Sequence, residues 1–262
     1  MLNLELNGRA PDLAEIQRLA TRNYGHYTSM QVRDGRVRGF ALHLARLDDG
    51  NDDFFGGRGE VADELRLREL IRHAIGGASD ASVRVAYVPG ADEKAPPDVL
   101  ISVRAPMPDA PGPALRVQTR AYARDWPEHK HAATMGLAYA NRKARQEGFD
   151  DALFFGPGER VSEGSTWNVA FWDGERVLWP EAPVLKGVTM VLLQVAMTMT
   201  GVPWGIRPVV RGELPDLLAA AAVNSICPAQ PIASVDDVVF TDSATLTDAL
   251  QTAWRTVPWD EI

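Results

Sequence analysis

Lys130 lies in the run Trp126-Pro127-Glu128-His129-Lys130-His131, after a strand-like stretch, Leu115 to Tyr122, and before a helix-like one, Ala133 to Gln146. Neighbouring imidazoles and partial burial both disfavour the ammonium form, which is what an amine nucleophile toward aldehydes needs. Two other readings stay open on these residues alone. One is a surface lysine beside exposed histidines. The other is a metal site from His129 and His131, which lacks carboxylate or cysteine partners at ligand spacing. Only four of the 27 basic residues are lysines (Lys94, Lys130, Lys143 and Lys186), so lysine chemistry has few candidates.

Two further segments hold groups of chemical interest. In Val161-Ser162-Glu163-Gly164-Ser165-Thr166-Trp167-Asn168 a carboxylate is followed by glycine and hydroxyl residues between two strand-like runs. An ordinary turn with a solvated glutamate reads the same way. In Leu185-Lys186-Gly187-Val188-Thr189 a glycine, a small apolar residue and a threonine open a helix. Exposed N–H groups at a helix start, with a hydroxyl beside them, suit a phosphate, although many helices begin so without a ligand.

The elements that must position these groups alternate. Three strand-turn-strand units are expected: Tyr27–Val32 to Arg36–Phe40 through Arg33-Asp34-Gly35, Ala152–Phe155 to Arg160–Ser162 through Gly156-Pro157-Gly158, and Asn168–Trp172 to Val177–Trp179 through Asp173-Gly174. Asp-Gly between apolar runs is a hairpin signal because the turn takes positive φ. Amphipathic periodicity predicts helices over Glu60–Ile75, Ala133–Gln146, Val188–Thr200 and Ala244–Trp254, the first three closed by glycines. The stretch Ala105 to Pro113 holds four prolines and a glycine, which neither a helix nor a central strand continues through. It predicts a smaller N-terminal α/β domain over 1–105, a linker over 106–114 and a larger C-terminal domain over 115–262.

Composition narrows the function classes. The 262 residues are 45% hydrophobic and 24% charged, ordinary for a globular chain. A net charge of −8 is a poor match for a nucleic-acid backbone. Cys227 is the one cysteine, so no internal disulfide framework exists and a reducing cytoplasm is expected. No basic region followed by an apolar run opens the chain, and no stretch approaches the ~18 apolar residues of a membrane span. No Gly-x-Ser-x-Gly elbow is present, and Cys227 between Ile226 and Pro228 reads as packed, which argues against a hydrolase.

Taken in order, the motifs resemble the class-IV aminotransferases, the fold-type IV pyridoxal 5'-phosphate (PLP) enzymes. These include D-amino acid and branched-chain aminotransferases and 4-amino-4-deoxychorismate lyase. Gly25-His26-Tyr27-Thr28-Ser29-Met30-Gln31-Val32 with Asp34-Gly35 resembles the first hairpin, and His43-Leu44-Ala45-Arg46-Leu47 the H-x-x-R-L segment. Lys130 falls at the Schiff-base lysine, and Gly148-Phe149-Asp150-Asp151-Ala152-Leu153 resembles the strand entry after it. Glu163 falls at the glutamate that faces the pyridine nitrogen. Gly187-Val188-Thr189 and Asn224-Ser225-Ile226-Cys227-Pro228-Ala229-Gln230-Pro231-Ile232 resemble the two phosphate loops.

The resemblance implies an α/β (α+β) chain of two domains with PLP between them, acting on an amino acid as a homodimer. It needs neither metal, nucleic acid nor membrane. Lys130 and Glu163 would be catalytic. Arg46, Val188, Thr189, Ser225 and Ile226 would hold the phosphate. Tyr27, Thr28 and Ser29 would meet substrate, with Thr28 or Ser29 a proton relay. Lys130-His131, Tyr27-Thr28-Ser29 (where transaminases often carry a glutamate) and the Asn224…Pro228…Pro231 pattern lean to the lyase branch. Val88 stands where D-amino acid aminotransferases carry a carboxylate-gripping arginine, Ala133 where an asparagine is common, and Met190 where an arginine is usual. These departures leave open lyase, transaminase and a non-catalytic relative.

Overall fold

The computed structural model describes residues 3–57, 64–92 and 94–262. In chain order its strands are β1 (Asn3–Leu6), β2 (His26–Val32), β3 (Arg36–Val37), β4 (Ala81–Val88), β5 (Asp98–Arg104), β6 (Leu115–Ala121), β7 (Asp151–Phe155) and β8 (Val161–Gly164). They continue with β9 (Asn168–Trp172), β10 (Val177–Pro180), β11 (Trp204–Arg207), β12 (Ala219–Val223), β13 (Gln230–Val235), β14 (Val238–Val239) and β15 (Asp260–Glu261). The helices are α1 (Leu13–Thr21), α2 (Phe40–Phe55), α3 (Glu64–Ile75), α4 (Met135–Gln146), α5 (Val188–Thr200) and α6 (Ser243–Thr256). Residues 105–114 carry neither helix nor strand.

The chain divides into two compact units. One is Met1–Met107 with His129–Ala133 and Pro258–Ile262; the other is Pro108–Glu128 with Thr134–Val257. The first unit is built on an antiparallel sheet in the order β1-β5-β4-β2, with β15 and β3 paired apart from it. Along β2 burial alternates strictly, His26, Thr28, Met30 and Val32 being buried and the residues between them partly open. That period of two marks a sheet with one face on a core. The core joins Met30, Val32, Val83, Val85, Ile101 and Val103 of the sheet to Phe40 and Leu47 of α2 and to Leu67 and Ile71 of α3.

The second unit holds one sheet in the order β11-β10-β9-β12-β13-β6-β7-β8, and a further β9–β8 pairing closes six of its strands on themselves. Parallel pairs (β13–β6, β6–β7) sit among antiparallel ones. The enclosed core is aliphatic and aromatic, with Val117, Leu153, Val169, Phe171, Ala220 and Ile232. A second core packs Leu193, Met197, Leu246 and Leu250 of α5 and α6 on Trp179, Ala219 and Ala221. The run Ala219-Ala220-Ala221-Ala222 is buried along its whole length, because small side chains let both faces of β12 be covered.

Most expected elements are present, with two differences. The strand expected to reach Phe40 stops at Val37, and Phe40 opens α2 after Gly39, which has φ of 72°. No helix was expected over α2, whose Asp48-Asp49-Gly50-Asn51-Asp52-Asp53 run has a turn-like composition. The helix expected from Glu60 is seen from Glu64; residues 60–63 lie outside the described residues. The turn at Asp34-Gly35 forms as expected, with φ of 50° and 70° and reciprocal bonds between Arg33 and Arg36 of 2.8 and 2.9 Å.

Candidate active site

In the first unit Lys130 belongs to a short strand-like segment laid against β2. The Tyr27 amide donates to the Lys130 carbonyl at 2.9 Å, and the Ala132 amide donates to the Gly25 carbonyl at 2.8 Å. His26 and His131 are the bridged pair between those two bonds. Successive side chains of such a pair point to opposite faces. Lys130 therefore shares a face with Tyr27, and its Nζ lies 5.0 Å from the Tyr27 ring centre, within cation–π range.

The histidines go the other way. His129 Nε2 meets Asp53 Oδ2 of α2 at 2.6 Å, and its ring packs edge-on to Phe54 at 5.0 Å. His129 thus ties the main chain beside Lys130 to α2, while His131 is buried in the rung paired with His26. His26 stacks between Tyr87 and Phe54 and bonds Asn51 Oδ1 at 3.0 Å. Burial above all lowers its pKa to about 4, the Asn51 bond opposing and His129 adding to the shift.

The same alternation separates the three expected substrate residues. Tyr27 and Ser29 lie on the partly open face of β2; Thr28 is fully buried toward α2. Its Oγ1 is 2.6 Å from His43 Nδ1. Burial, then the positive charges of Arg46 and Lys130, hold the His43 imidazole neutral, with its pKa lowered to about 3. Arg46 lies one turn beyond His43 on α2, which puts both on one side of the helix. The sequence reading had not singled out His43 as a functional residue.

In the second unit Glu163 is buried on β8 and pairs with a residue the sequence reading missed. Arg124 Nε donates to Glu163 Oε1 at 3.1 Å, the two side chains being 4% and 5% exposed. Nothing in the sequence around Arg124 distinguishes it from the other arginines. The turn after Glu163 is fixed from below by Asp151. Its Oδ2 accepts from Ser165 Oγ at 2.9 Å and Trp167 Nε1 at 2.8 Å; its Oδ1 accepts from Asn141 Nδ2 at 2.8 Å. A Cβ on Gly164 would sit 2.0 Å from the Trp167 ring, so glycine is required for the indole to fold back. Asp151 and Gly164 together set the direction of Glu163.

The start of α5 is a second built feature of this unit. Asn168 Nδ2 donates to the Leu185 carbonyl at 2.8 Å, and the Gly187 amide donates to Asn168 Oδ1 at 3.2 Å. A Cβ on Gly187 would lie 2.2 Å from that Oδ1. Gly187 caps α5 without a side-chain bond, while Val188 and Thr189 of the first turn are buried. First-turn amides beside a buried threonine hydroxyl fit a phosphate group by charge and by donor type. In the late loop, Asn224 Oδ1 accepts from the Ile226 and Cys227 amides at 2.9 and 3.0 Å. The Ile226 amide is thereby engaged, while the Ser225 hydroxyl has no bond among the described residues. No cluster of metal-ligating side chains occurs among the described residues.

Comparison with known proteins bears on the family and the fold. The family model for amino-transferase class IV matches residues 25–235. A branched-chain aminotransferase from Thermoproteus uzoniensis, solved with norvaline, shares 18% identity over 97% of this chain and 93% of its own, with a TM-score of 0.82. A hypothetical aminotransferase from Mycobacterium tuberculosis in PLP-bound form is 19% identical over 97% and 98%, with a TM-score of 0.80. An aminotransferase from Brucella abortus bound to PLP is 18% identical over 98% and 99%, again at 0.80. A search of curated proteins returns no match. The fold is the fold these enzymes share, and with the family model spanning most of its length the chain belongs to the class-IV aminotransferase family.

Proposed function

We propose that the chain is a PLP-dependent enzyme that transfers the amino group of an amino acid, with Lys130 as the residue that carries the cofactor. The observation that carries this reading is the buried Arg124–Glu163 pair in a chain of this family. PLP, when bound, supplies the aldehyde that an amine condenses with and a ring that accepts electrons from Cα. Every other task falls to side chains of this protein.

Lys130 would hold the cofactor through its amine, and the same Nζ, when free, would move the Cα proton of the substrate. Keeping that amine beside the reacting carbon replaces a bimolecular step, an advantage of up to about 7–11 kcal/mol. Arg124 pairs with Glu163 and fixes the direction of its carboxylate. The Glu163 carboxylate would in turn favour a proton on the cofactor's ring nitrogen. Arg46, Thr189, Ser225 and the backbone at Val188 would hold the phosphate; the Ile226 amide, expected to join them, is taken by Asn224 Oδ1. Tyr27 and Ser29 meet the substrate. Ser29, on the Tyr27 face, is the better-placed proton relay, and Thr28 acts through His43.

A second reading, β-elimination releasing pyruvate as in 4-amino-4-deoxychorismate lyase, is favoured by the Tyr27-Thr28-Ser29 step, where transaminases often carry a glutamate. The net charge of −8 supports a small-molecule partner over nucleic acid. Among the described residues no helix is long and apolar enough to cross a membrane. Family membership supports a homodimer, and the single cysteine supports a reducing cytoplasm.

The test is to incubate the holoenzyme with D- and L-amino acids plus a keto acid and, separately, with aminodeoxychorismate. A new amino acid supports transamination; pyruvate with aminobenzoate supports elimination. A protein that binds PLP and fails to exchange the α-deuterium of any of these amino compounds is the non-catalytic relative, and contradicts the proposal.

A further inference from the structure

The face of β2 that carries Tyr27 continues across the first unit's sheet. Ser29 is directly opposite Arg84 of β4, which is opposite Ser102 of β5; in the next row Gln31 is opposite Ser82, and Ser82 opposite Arg104. Arg84 and Arg104 are therefore diagonal neighbours on adjacent strands, on the same face as Ser29. The Arg84 guanidinium carbon stacks 3.4 Å from the Tyr27 ring centre, the same ring that Lys130 Nζ approaches at 5.0 Å. Arg84 and the Lys130 amine are thus no farther apart than those two distances combined.

Neither guanidinium has an ion-pair or hydrogen-bond partner among the described residues. Burial, then the charge of Arg104, push the Arg84 pKa down, with Tyr27 opposing. Two like charges held side by side with no acid between them attract an anion, and a planar guanidinium with a fixed stacking partner presents its donors in a set direction.

Resting on the proposal that Lys130 carries PLP, we propose that Arg84, reinforced by Arg104, binds a carboxylate of the substrate, so that the enzyme selects amines bearing a carboxylate over simple amines. Val88 leaves this protein without the arginine that D-amino acid aminotransferases place after the same strand. Arg84, four residues earlier on β4, supplies a cation on the Lys130 side of the sheet. The Tyr27 ring gives the guanidinium a stacking partner close to the amine, so that the two cations can act on different ends of one molecule.

The test uses holoenzyme and its Arg84→Met variant, each checked first for the cofactor's absorption and its fixation by borohydride. A colourless wild-type protein fails the cofactor proposal itself, before any substrate is added. Spectral titration then compares D- and L-alanine, D- and L-glutamate and the carboxylate-free ethylamine and propylamine. The expected result is that Arg84→Met keeps the cofactor band, weakens half-saturation by at least one amino acid thirty-fold or more, and leaves the amines within two-fold. Arg84→Lys restores part of the loss, and Arg104→Met shows a smaller loss of the same selectivity. Equal responses of wild type and Arg84→Met, whether strong or absent, overturn the proposal, as does an equal loss for amines and amino acids.

Discussion

Tyr27 holds Lys130 twice: its amide donates to the lysine's carbonyl at 2.9 Å, and its ring lies 5.0 Å beneath the lysine's Nζ. One residue thus fixes both the main chain and the direction of the amine. The arrangement follows from strand pairing, since the bridged pair His26–His131 places Tyr27 and Lys130 side by side on the next rung.

The Arg124–Glu163 pair gives a prediction about stability. Both side chains are almost wholly withdrawn from water, so removing the cation takes a charged partner from a buried carboxylate. Breaking such a pair typically costs about 3–5 kcal/mol. Arg124→Met is expected to unfold at lower urea by that amount, and Arg124→Met with Glu163→Leu to recover most of it. A single variant within 1 kcal/mol of wild type, a margin about that of an exposed pair, contradicts the account.

Two buried imidazoles set the response to acid. His43 and His26 have folded-state pKa values lowered to about 3 and about 4 from 6.5, chiefly by burial. Between these values and 6.5 the unfolded chain binds protons that the folded chain does not, so folding stability falls as pH drops. The contribution is fully present above pH 6.5 and is lost progressively below it. Each group adds a limiting slope of about 1.4 kcal/mol per pH unit. Unfolding free energies measured from pH 7.5 to 4.5 are expected to fall steeply in wild type and less so in His43→Gln. A flat profile across that range contradicts the assignment of two neutral buried histidines.

Gly187 tests the helix-start site in the second unit. Its backbone is not left-handed, with φ of −60°, so the case for glycine is space alone: a Cβ would meet Asn168 Oδ1 at 2.2 Å. Gly187→Ala is expected to push the Asn168 amide away, shift the first turn of α5 and weaken cofactor retention about tenfold, or about 1.4 kcal/mol. Equilibrium dialysis of PLP against wild type and variant reads this directly. Unchanged retention removes α5 from the phosphate site.

How much of this was legible beforehand depends on the kind of signal. Strands β9 and β10 and helix α5 show in the sequence because their apolar spacing and glycine boundaries are local. Lys130, Glu163 and Gly187 stood out because each sits in an ordered series of motifs. Arg124 and Arg84 did not, since their importance lies in partners distant in sequence: Glu163 is 39 residues from Arg124, and Tyr27 reaches Arg84 only across a strand pairing. Helix α2 was missed because its acidic, glycine-containing middle resembles a loop; its helical state comes from packing Phe40 and Leu47 on the sheet. The imidazoles beside Lys130 were expected to act on its amine, and strand alternation sends them toward α2 instead.

The most direct measurement is borohydride reduction of the PLP-loaded protein, followed by proteolysis and mass spectrometry of the modified peptide. The account predicts one phosphopyridoxyl group per chain, on Lys130, and none in a colourless Lys130→Ala variant. Label on Lys94, Lys143 or Lys186 in place of Lys130, or a Lys130→Ala variant that is yellow before reduction and labelled after it, contradicts it.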